Sequence, residues 1–343
     1  MTRRATPFQT ARAALLRGLS WLAGRLPEGP LVRLADLAGE AWYRLTPARA
    51  AQARRNLRRV ATALAGDPRA TAAVRAAAAD PRALERLVRS AFRHNARYYL
   101  EVARVPAMQP GDLDERLAIE TPDIVTDAFA GGGPVIFVGL HFGAIELPAR
   151  FLAARAGAAV TPMETLDDPA LQAWFVRTRG AAGVRIVGLR EARRELLGAL
   201  RTGTPVGLVG DRDLTGGGVP VTLFGAPATL PLGPAMLAVE SGAPVFVAGV
   251  RRARIGRYVG RLEPVGVPVE GTRRERVIAT TDALARAFER IVADAPEQWW
   301  AVFFPIWPDL EAPAGAAPAA PAPAAPPAPA TETPDAAADR SVA

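Results

Sequence analysis

The sequence predicts an α/β protein with a single mixed sheet flanked by helices, and three observations predict it. From residue 116 onward, short apolar runs alternate with stretches of helical spacing, which is typical of a sheet covered by helices. Residues 8–105 show helical spacing alone, and their first part is amphipathic. The end of the chain is dominated by alanine and proline. We therefore expect an amphipathic helical segment, an α/β body and a disordered tail.

The amphipathic segment covers residues 8–46. Leucines recur at helical spacing from Leu15 to Leu26, with arginines between them. The apolar run is too interrupted to span a membrane, which takes about twenty apolar residues, and Arg17 breaks the apolar region that a signal peptide needs. We expect residues 1–46 to lie in a membrane interface, with arginines directed at lipid phosphates. A soluble helix packed on the body is the alternative.

The charge is concentrated in the same part of the chain. The whole chain has a net charge of +8, yet residues 1–60 contain twelve arginines and only three acidic residues. The remainder is therefore close to neutral, and the basic N-terminal part indicates contact with an anionic membrane surface. No nucleic-acid partner is expected, because the arginines are not interleaved with aromatic residues that could stack on bases.

Residues 47–105 are predicted to be helical. One helix follows a Thr-Pro step, where we expect Thr46 to form the N-cap, and another opens on an Asp-Pro step at residues 80–81. His94 lies in the second helix, and we expect it to be structural or solvated rather than catalytic.

The α/β region follows. Its predicted strands are residues 134–140, 158–163, 184–189, 205–210, 243–250 and 258–267. Its predicted helices are residues 144–156, 168–180, 190–202, 232–242 and 273–294. The Ala/Pro tail at residues 311–343 cannot bury a core and is predicted to be disordered. The expected division is thus a membrane-associating segment over 1–46, an α/β domain over 47–310 and a tail over 311–343.

Composition and motifs exclude several kinds of site. The chain has no cysteine and two histidines, which excludes disulfides, a thiolate nucleophile, a cysteine-based zinc site and a multi-histidine metal site. A carboxylate-only magnesium site stays open. A G-x-S-x-G elbow, a G-x-x-x-x-G-K-[ST] loop and a strand followed by G-x-G-x-x-G are all absent from the sequence.

The stretch "PVIFVGLHFGAIE" combines a buried strand with a histidine. The strand ends at Leu140, so His141 falls at the carboxyl edge, where open α/β sheets place their ligand sites. Glu146 follows at a spacing of five, so the two side chains meet only if the chain turns, which Gly143 makes easier. An imidazole bonded to a carboxylate suits a general base. The spacing alone is a weak signal, and an ordinary turn is the alternative.

Two further clusters lie near predicted strand or helix ends. Asp211, Arg212 and Asp213 follow the strand at 205–210 and precede a glycine-rich loop. Carboxylates there could orient a base and the guanidinium could bind phosphate, while a salt-bridged loop is the alternative. Arg179 lies at the end of a predicted helix. There it could serve a functional site, or it could simply complement the helix dipole, which is at least as good an explanation.

These motifs, in this order, resemble the bacterial lysophospholipid-acyltransferase superfamily. The resemblance is to its branch of lipid A lauroyl acyltransferases and phosphatidylinositol mannoside acyltransferases, and it covers about residues 8–310. It rests on the amphipathic start, "ARRNLRRV" (53–60), "HFGAIE" (141–146), "DRDL" (211–214), "FGAPATLPLGPAMLA" (224–238) and "PEQWWAVF" (296–303).

The resemblance implies a glycerolipid-acyltransferase-like fold and an enzyme. Such an enzyme moves a fatty acyl group from acyl-CoA or acyl carrier protein to a glycolipid hydroxyl, and lies peripherally or monotopically on the cytoplasmic face of the bacterial plasma membrane. His141 matches the general base, Glu146 its motif acid and Asp211 the acid that orients the histidine. Arg179 matches a basic residue associated with that site. No metal or other cofactor is expected, because the thioester is already activated.

The remaining expectations concern substrate binding. We expect backbone N–H groups near Phe142, Gly143 and Ala144 to hold the oxyanion, and Arg212 and Asp213 to contact substrate. "DRDL" followed by "GGGVPVTLFG" resembles the mannoside enzymes more closely, so we expect a phosphatidylinositol mannoside-type acceptor. A lipid A lauroyl-type acyltransferase and a non-catalytic membrane lipid-binding protein are the alternatives. The sequence assigns no role to the tryptophan pair at 299–300.

Overall fold

The computed structural model describes residues 6–109, 111–213 and 216–311. The predicted tail, apart from its first residue, lies outside the described residues. The helices are α1 (Pro7–Arg25), α2 (Glu28–Leu45), α3 (Pro47–Ala63), α4 (Ala72–Ala79), α5 (Pro81–Arg104), α6 (Asp112–Arg116), α7 (Pro122–Ala130), α8 (Glu146–Ala156), α9 (Pro169–Gly180), α10 (Ala192–Arg201), α11 (Gly233–Ser241) and α12 (Arg273–Ala293). The strands are β1 (Leu117–Ile119), β2 (Ile136–Gly139), β3 (Ala159–Met163), β4 (Val184–Gly188), β5 (Val206–Val209), β6 (Val219–Leu223), β7 (Ala226–Leu230), β8 (Val245–Arg254) and β9 (Arg257–Val265).

Seven strands form the central sheet in the order β1–β9–β8–β2–β5–β3–β4. Every neighbouring pair is parallel except β8–β9, which form an antiparallel hairpin. Ile136 and Val138 of the central strand β2 are completely buried, which is why this strand is apolar without alternation. The predicted fold class, a mixed sheet flanked by helices, is confirmed.

All six predicted strands and the five predicted helices of the α/β region are present. The sequence missed β1, which is only three residues long, and the separate antiparallel hairpin β6–β7. Both hairpin strands contain a proline, Pro220 and Pro227, and proline argues against a strand. Their turn is made by Phe224 and Gly225, both with positive φ, the geometry of a two-residue hairpin turn.

The N-terminal helices are docked on α5. Gly39 of α2 allows the close approach, since a Cβ there would lie 2.7 Å from the Arg93 Cα. Ion pairs between α2 and α5 flank this contact, and Ser20 of α1 donates to the Ala103 carbonyl at 2.6 Å. One face of the segment is therefore packed on the body. No helix in the described ranges is long and apolar enough to cross a membrane.

Both predicted helix starts are present, but only one of them has a side-chain cap. Asp80 accepts hydrogen bonds from the backbone N–H groups of Arg82 and Ala83 and so caps α5, as predicted. Thr46 occupies the predicted N-cap position of α3, with proline in the first turn, but its side chain makes no capping hydrogen bond. Its hydroxyl donates instead to the Trp42 carbonyl at 2.8 Å, at the end of α2. The division of the chain at residue 46 stays a prediction.

Candidate active site

The site begins where two neighbouring strands end. β2 and β5 are parallel, with Gly139 opposite Val209. The chain runs two residues past each of these positions, so His141 and Asp211 emerge side by side at the carboxyl edge of the sheet. The Nδ1 atom of His141 lies 2.7 Å from the Oδ1 atom of Asp211. A histidine and an acid seventy residues apart are thus joined by strand pairing.

Asp211 is completely buried and accepts three hydrogen bonds. Its Oδ2 atom accepts from the His141 backbone N–H at 3.0 Å and from the Trp299 indole at 2.7 Å. Burial acts to raise the pKa of Asp211, but the charge and hydrogen bonds of His141 and the bond from Trp299 outweigh it, so this pKa lies below its ordinary value. The ionised carboxylate accepts a hydrogen bond from Nδ1–H, which leaves the Nε2 lone pair of His141 available as a base.

The loop after His141 is fixed against β8. Gly143 has φ +53°, and a Cβ on it would lie 2.0 Å from the Val250 carbonyl oxygen, so only glycine fits. The N–H groups of Phe142, Gly143 and Ala144 donate to the carbonyls of residues 140, 298 and 250 respectively. Each of these three groups is already bonded to the protein, and the expectation that they hold an oxyanion stays a prediction. They hold the loop in place.

Glu146 begins α8 and is bonded to Arg179 of α9. The Arg179 Nε and Nη2 atoms donate to the two carboxylate oxygens at 3.0 and 2.5 Å. Burial acts to lower the pKa of Arg179, but its bond to Glu146 outweighs this and the pKa is raised. Asp211, rather than Glu146, is thus the acid bonded to the His141 imidazole. The structure brings Glu146 and Arg179 into contact. The catalytic role of Glu146 and the substrate-binding role of Arg179 stay predictions.

The segment at residues 296–303 closes the site. The backbone N–H of Trp300 donates to the His141 carbonyl at 2.9 Å, and Phe142 and Trp299 form an antiparallel bridge. The Trp300 ring meets the His141 ring edge to face, with centroids 4.3 Å apart. Its Nε1 atom is buried and has no hydrogen-bond partner among the described residues. Sequence reasoning gave this pair no role, although the adjacent tryptophans in "PEQWWAVF" were the available signal.

The chain is similar to known proteins over most of its length. A family model described as bacterial lipid A biosynthesis acyltransferase matches residues 2–305.

The chain belongs to this family.

It is 31% identical over 217 residues to a phosphatidylinositol mannoside acyltransferase of Mycolicibacterium smegmatis (strain ATCC 700084 / mc(2)155), covering 62% of this chain and 70% of the relative. It is 32% identical over 210 residues to one from Mycobacterium tuberculosis (strain CDC 1551 / Oshkosh), covering 59% and 65%. The match thus spans just under two thirds of the second relative. The predicted superfamily branch is confirmed, and the protein is an acyltransferase.

Two further predicted residues of the acyltransferase lie beside Asp211. The Arg212 guanidinium stacks over the Phe304 ring, 3.7 Å from its centroid. Burial lowers the pKa of Arg212. Asp213 accepts hydrogen bonds from the Gly216 and Gly218 N–H groups at 3.1 and 2.8 Å, so it organises the glycine-rich loop. Contact of either side chain with substrate stays a prediction.

Proposed function

We propose that this acyltransferase moves a fatty acyl group from an acyl-CoA or acyl carrier protein thioester to a hydroxyl of a membrane glycolipid of the phosphatidylinositol mannoside type. The observation that carries the proposal is the His141 imidazole, bonded at 2.7 Å to a buried carboxylate at the carboxyl edge of the sheet. The names of the similar mycobacterial proteins support the acceptor class.

The reaction follows from this pair. Nε2 of His141 takes the proton of the acceptor hydroxyl as its oxygen bonds to the thioester carbonyl carbon. Asp211 holds Nδ1–H throughout and stabilises the imidazolium. The tetrahedral intermediate then collapses with cleavage of the C–S bond, and the imidazolium returns the proton to the leaving thiolate. The acyl group passes directly from sulfur to oxygen, without an acyl-enzyme.

We place the donor for the oxyanion of the tetrahedral intermediate outside the loop at 142–144, because the three N–H groups of that loop already donate to protein carbonyls. The Trp300 indole N–H supports this role, because it is a buried donor without a partner among the described residues and its ring touches His141. A donor that is already in place stabilises developing charge without reorganisation. Removing the indole N–H would slow the chemical step and would leave the loop at 142–144 unchanged.

The exposed face of the N-terminal helices supports association with the membrane. Leu15 and Trp21 of α1 are 62% and 59% exposed, and Leu37 of α2 is 68% exposed. The Arg25 guanidinium stacks over the Trp21 ring at 3.8 Å. Apolar side chains beside arginines suit an interface with anionic lipids on the cytoplasmic face of the plasma membrane.

A lipid A-type acceptor is the second candidate, favoured by the description of the matching family. The test is acyl transfer from labelled acyl-CoA or acyl carrier protein to vesicles containing either a phosphatidylinositol mannoside or a lipid A precursor. We expect transfer to the mannoside and a loss of at least about 10³-fold in His141→Ala, with thermal unfolding measured on the same samples to verify that the variant is folded. Equal transfer by His141→Ala refutes the mechanism, and transfer only to the lipid A precursor selects the second acceptor.

A further inference from the structure

The turn at residues 141–144, which carries the general base, is held by a closed ring of hydrogen bonds. We propose that Arg252 and Gln298 are positioning residues, which complete this ring and so hold the His141 imidazole where it meets the acceptor hydroxyl. This inference rests on the proposed function and adds to it the residues that fix the place of the base.

Strand β8 extends past the end of its neighbour β2. The two strands pair as far as Gly139 and Ala248, and β8 then continues to Arg254. Beyond Ala248, the backbone groups on the β2 side of β8 therefore have no strand to bond to, and buried backbone groups need a partner. The turn takes up the first of them, since the Ala144 N–H donates to the Val250 carbonyl at 2.8 Å.

Gln298 takes up the next two backbone groups on that edge. Its side-chain oxygen accepts from the Arg252 backbone N–H at 2.8 Å, and its side-chain nitrogen donates to the Arg252 carbonyl at 3.0 Å. The amide thus bonds to both backbone groups of Arg252, as a residue of a neighbouring strand would. The backbone carbonyl of Gln298 in turn accepts from the Gly143 N–H at 2.9 Å. One buried glutamine therefore joins β8 to the turn.

The Arg252 side chain closes the ring, because its Nη2 atom donates to the Gly143 carbonyl at 2.9 Å. Gly143, Arg252 and Gln298 are thus each bonded to the other two. The guanidinium is itself fixed, since its Nε and Nη2 atoms donate to the Glu101 carboxylate on α5 at 2.6 Å each. Its side chain is only 6% exposed, so salt screens this pair little. A planar guanidinium reaches both acceptors at once, which a single ammonium nitrogen does not.

The ring determines where the turn lies, while other contacts determine the protonation of the imidazole. Asp211 accepts from Nδ1 of His141 and sets the tautomer. The ring acts two residues further on, through both backbone groups of Gly143. If it opens, the imidazole keeps its proton on Nδ1 but shifts relative to the acceptor oxygen. A misplacement of about 1 Å costs on the order of 10²-fold in rate, and we expect this loss in kcat.

The test replaces Arg252 by lysine, which keeps a charge beside Glu101 but has one nitrogen for two acceptors. We expect kcat for acyl transfer to fall about 10- to 10²-fold, with the KM for donor and for acceptor unchanged. Arg54→Lys is the matched control. Arg54 donates to Glu85, also on α5, at 2.6 and 2.8 Å, and within the described ranges it has no hydrogen bond to the turn. We expect wild-type kcat in this control, with thermal unfolding of each sample giving its folded fraction.

Hydrogen exchange separates positioning from a general loss of stability. The N–H groups of Gly143 and Ala144 should exchange about three- to tenfold faster in Arg252→Lys and at the wild-type rate in Arg54→Lys, while β2 exchanges at the wild-type rate in both. Faster exchange throughout the sheet would show a structural role alone and overturn the proposal, as would wild-type kcat in Arg252→Lys. These rates need no substrate, so they test the ring whichever acceptor the enzyme takes.

Gln298→Met opens the same ring without removing the ion pair, and it tests the proposal even if Arg252→Lys does not fold. It should lower kcat at unchanged KM. The double variant should lose less than the product of the two single losses, because both changes open one ring. Losses that multiply would show that the two residues act separately and would overturn the proposal. The proposed function fails separately, through full acyl transfer by His141→Ala.

Discussion

Replacing Asp211 by asparagine tests the acid that orients the base. The carboxylate accepts three N–H donors, from the His141 ring at 2.7 Å, the His141 backbone at 3.0 Å and the Trp299 indole at 2.7 Å. An amide oxygen has two lone pairs and the amide nitrogen accepts nothing. At least one donor must therefore face an NH₂ group.

We expect the imidazole to be the donor that faces the NH₂ group, because its proton can move to the other ring nitrogen. The backbone and indole protons cannot move in this way. If Nδ1 loses its proton to face the amide, Nε2 becomes protonated and can no longer act as the base. We expect kcat to fall by about 10³- to 10⁴-fold, as expected when a catalytic histidine is held in the wrong tautomer, and an unmet buried donor costs about 1–3 kcal/mol of stability.

The assay is kcat for acyl transfer, with thermal unfolding measured on the same samples. Glu146→Gln is the control, since Glu146 is bonded to Arg179 and not to the imidazole. We expect this variant to keep far more activity than Asp211→Asn. If Asp211→Asn keeps more than about a tenth of kcat while Glu146→Gln loses nearly all, the acid at spacing five is the partner and the assignment made here is refuted.

Three other outcomes follow from the structure. Gly143→Ala should destabilise the protein by about 2–4 kcal/mol and abolish transfer, because its backbone requires positive φ and no side chain fits; chemical denaturation measures this, and wild-type stability contradicts it. Trp300→Phe should lower kcat about 10²- to 10³-fold at unchanged acceptor KM if the indole holds the oxyanion, whereas unchanged kcat removes it from the mechanism. Unfolded His94 binds a proton near pH 6.5 that the folded protein resists. The free energy of unfolding of wild type should therefore fall by up to about 1.4 kcal/mol per pH unit below pH 6.5, relative to that of His94→Leu. Urea unfolding at pH 7.5 and 5.5 measures this, and an equal change in the free energy of unfolding of the two proteins would contradict it.

The sequence predicts most of the sheet because its strands are buried and apolar, with helices between them. It missed the β6–β7 hairpin, whose prolines at 220 and 227 conceal two strands that lie apart from the main sheet. It identified His141 and Asp211 as residues at strand ends. It could not show from spacing that these two residues meet, because strand order, and not distance along the chain, places β2 beside β5.

The parts of the site that the sequence did not predict depend on tertiary contacts. The N–H groups of residues 142–144 are the expected oxyanion donors in a glycine-containing loop. In the structure Phe142 donates locally to Leu140, Gly143 donates to the 296–303 segment and Ala144 donates to β8. Trp299 and Trp300 have no catalytic signature as residue types. Their position against Asp211 and His141 arises only when the C-terminal segment folds back onto the loop.

The protonation of the His141 ring is the most direct measure of the central claim. The chain has only two histidines, so ¹⁵N spectra of the imidazoles can be assigned with the His94→Asn variant. The account predicts a proton on the Nδ1 atom of His141 that is hydrogen-bonded in wild type and in Glu146→Gln, and is lost from that position in Asp211→Asn. A proton on Nε2 in wild type, or an Nδ1–H signal that survives in Asp211→Asn, would contradict it.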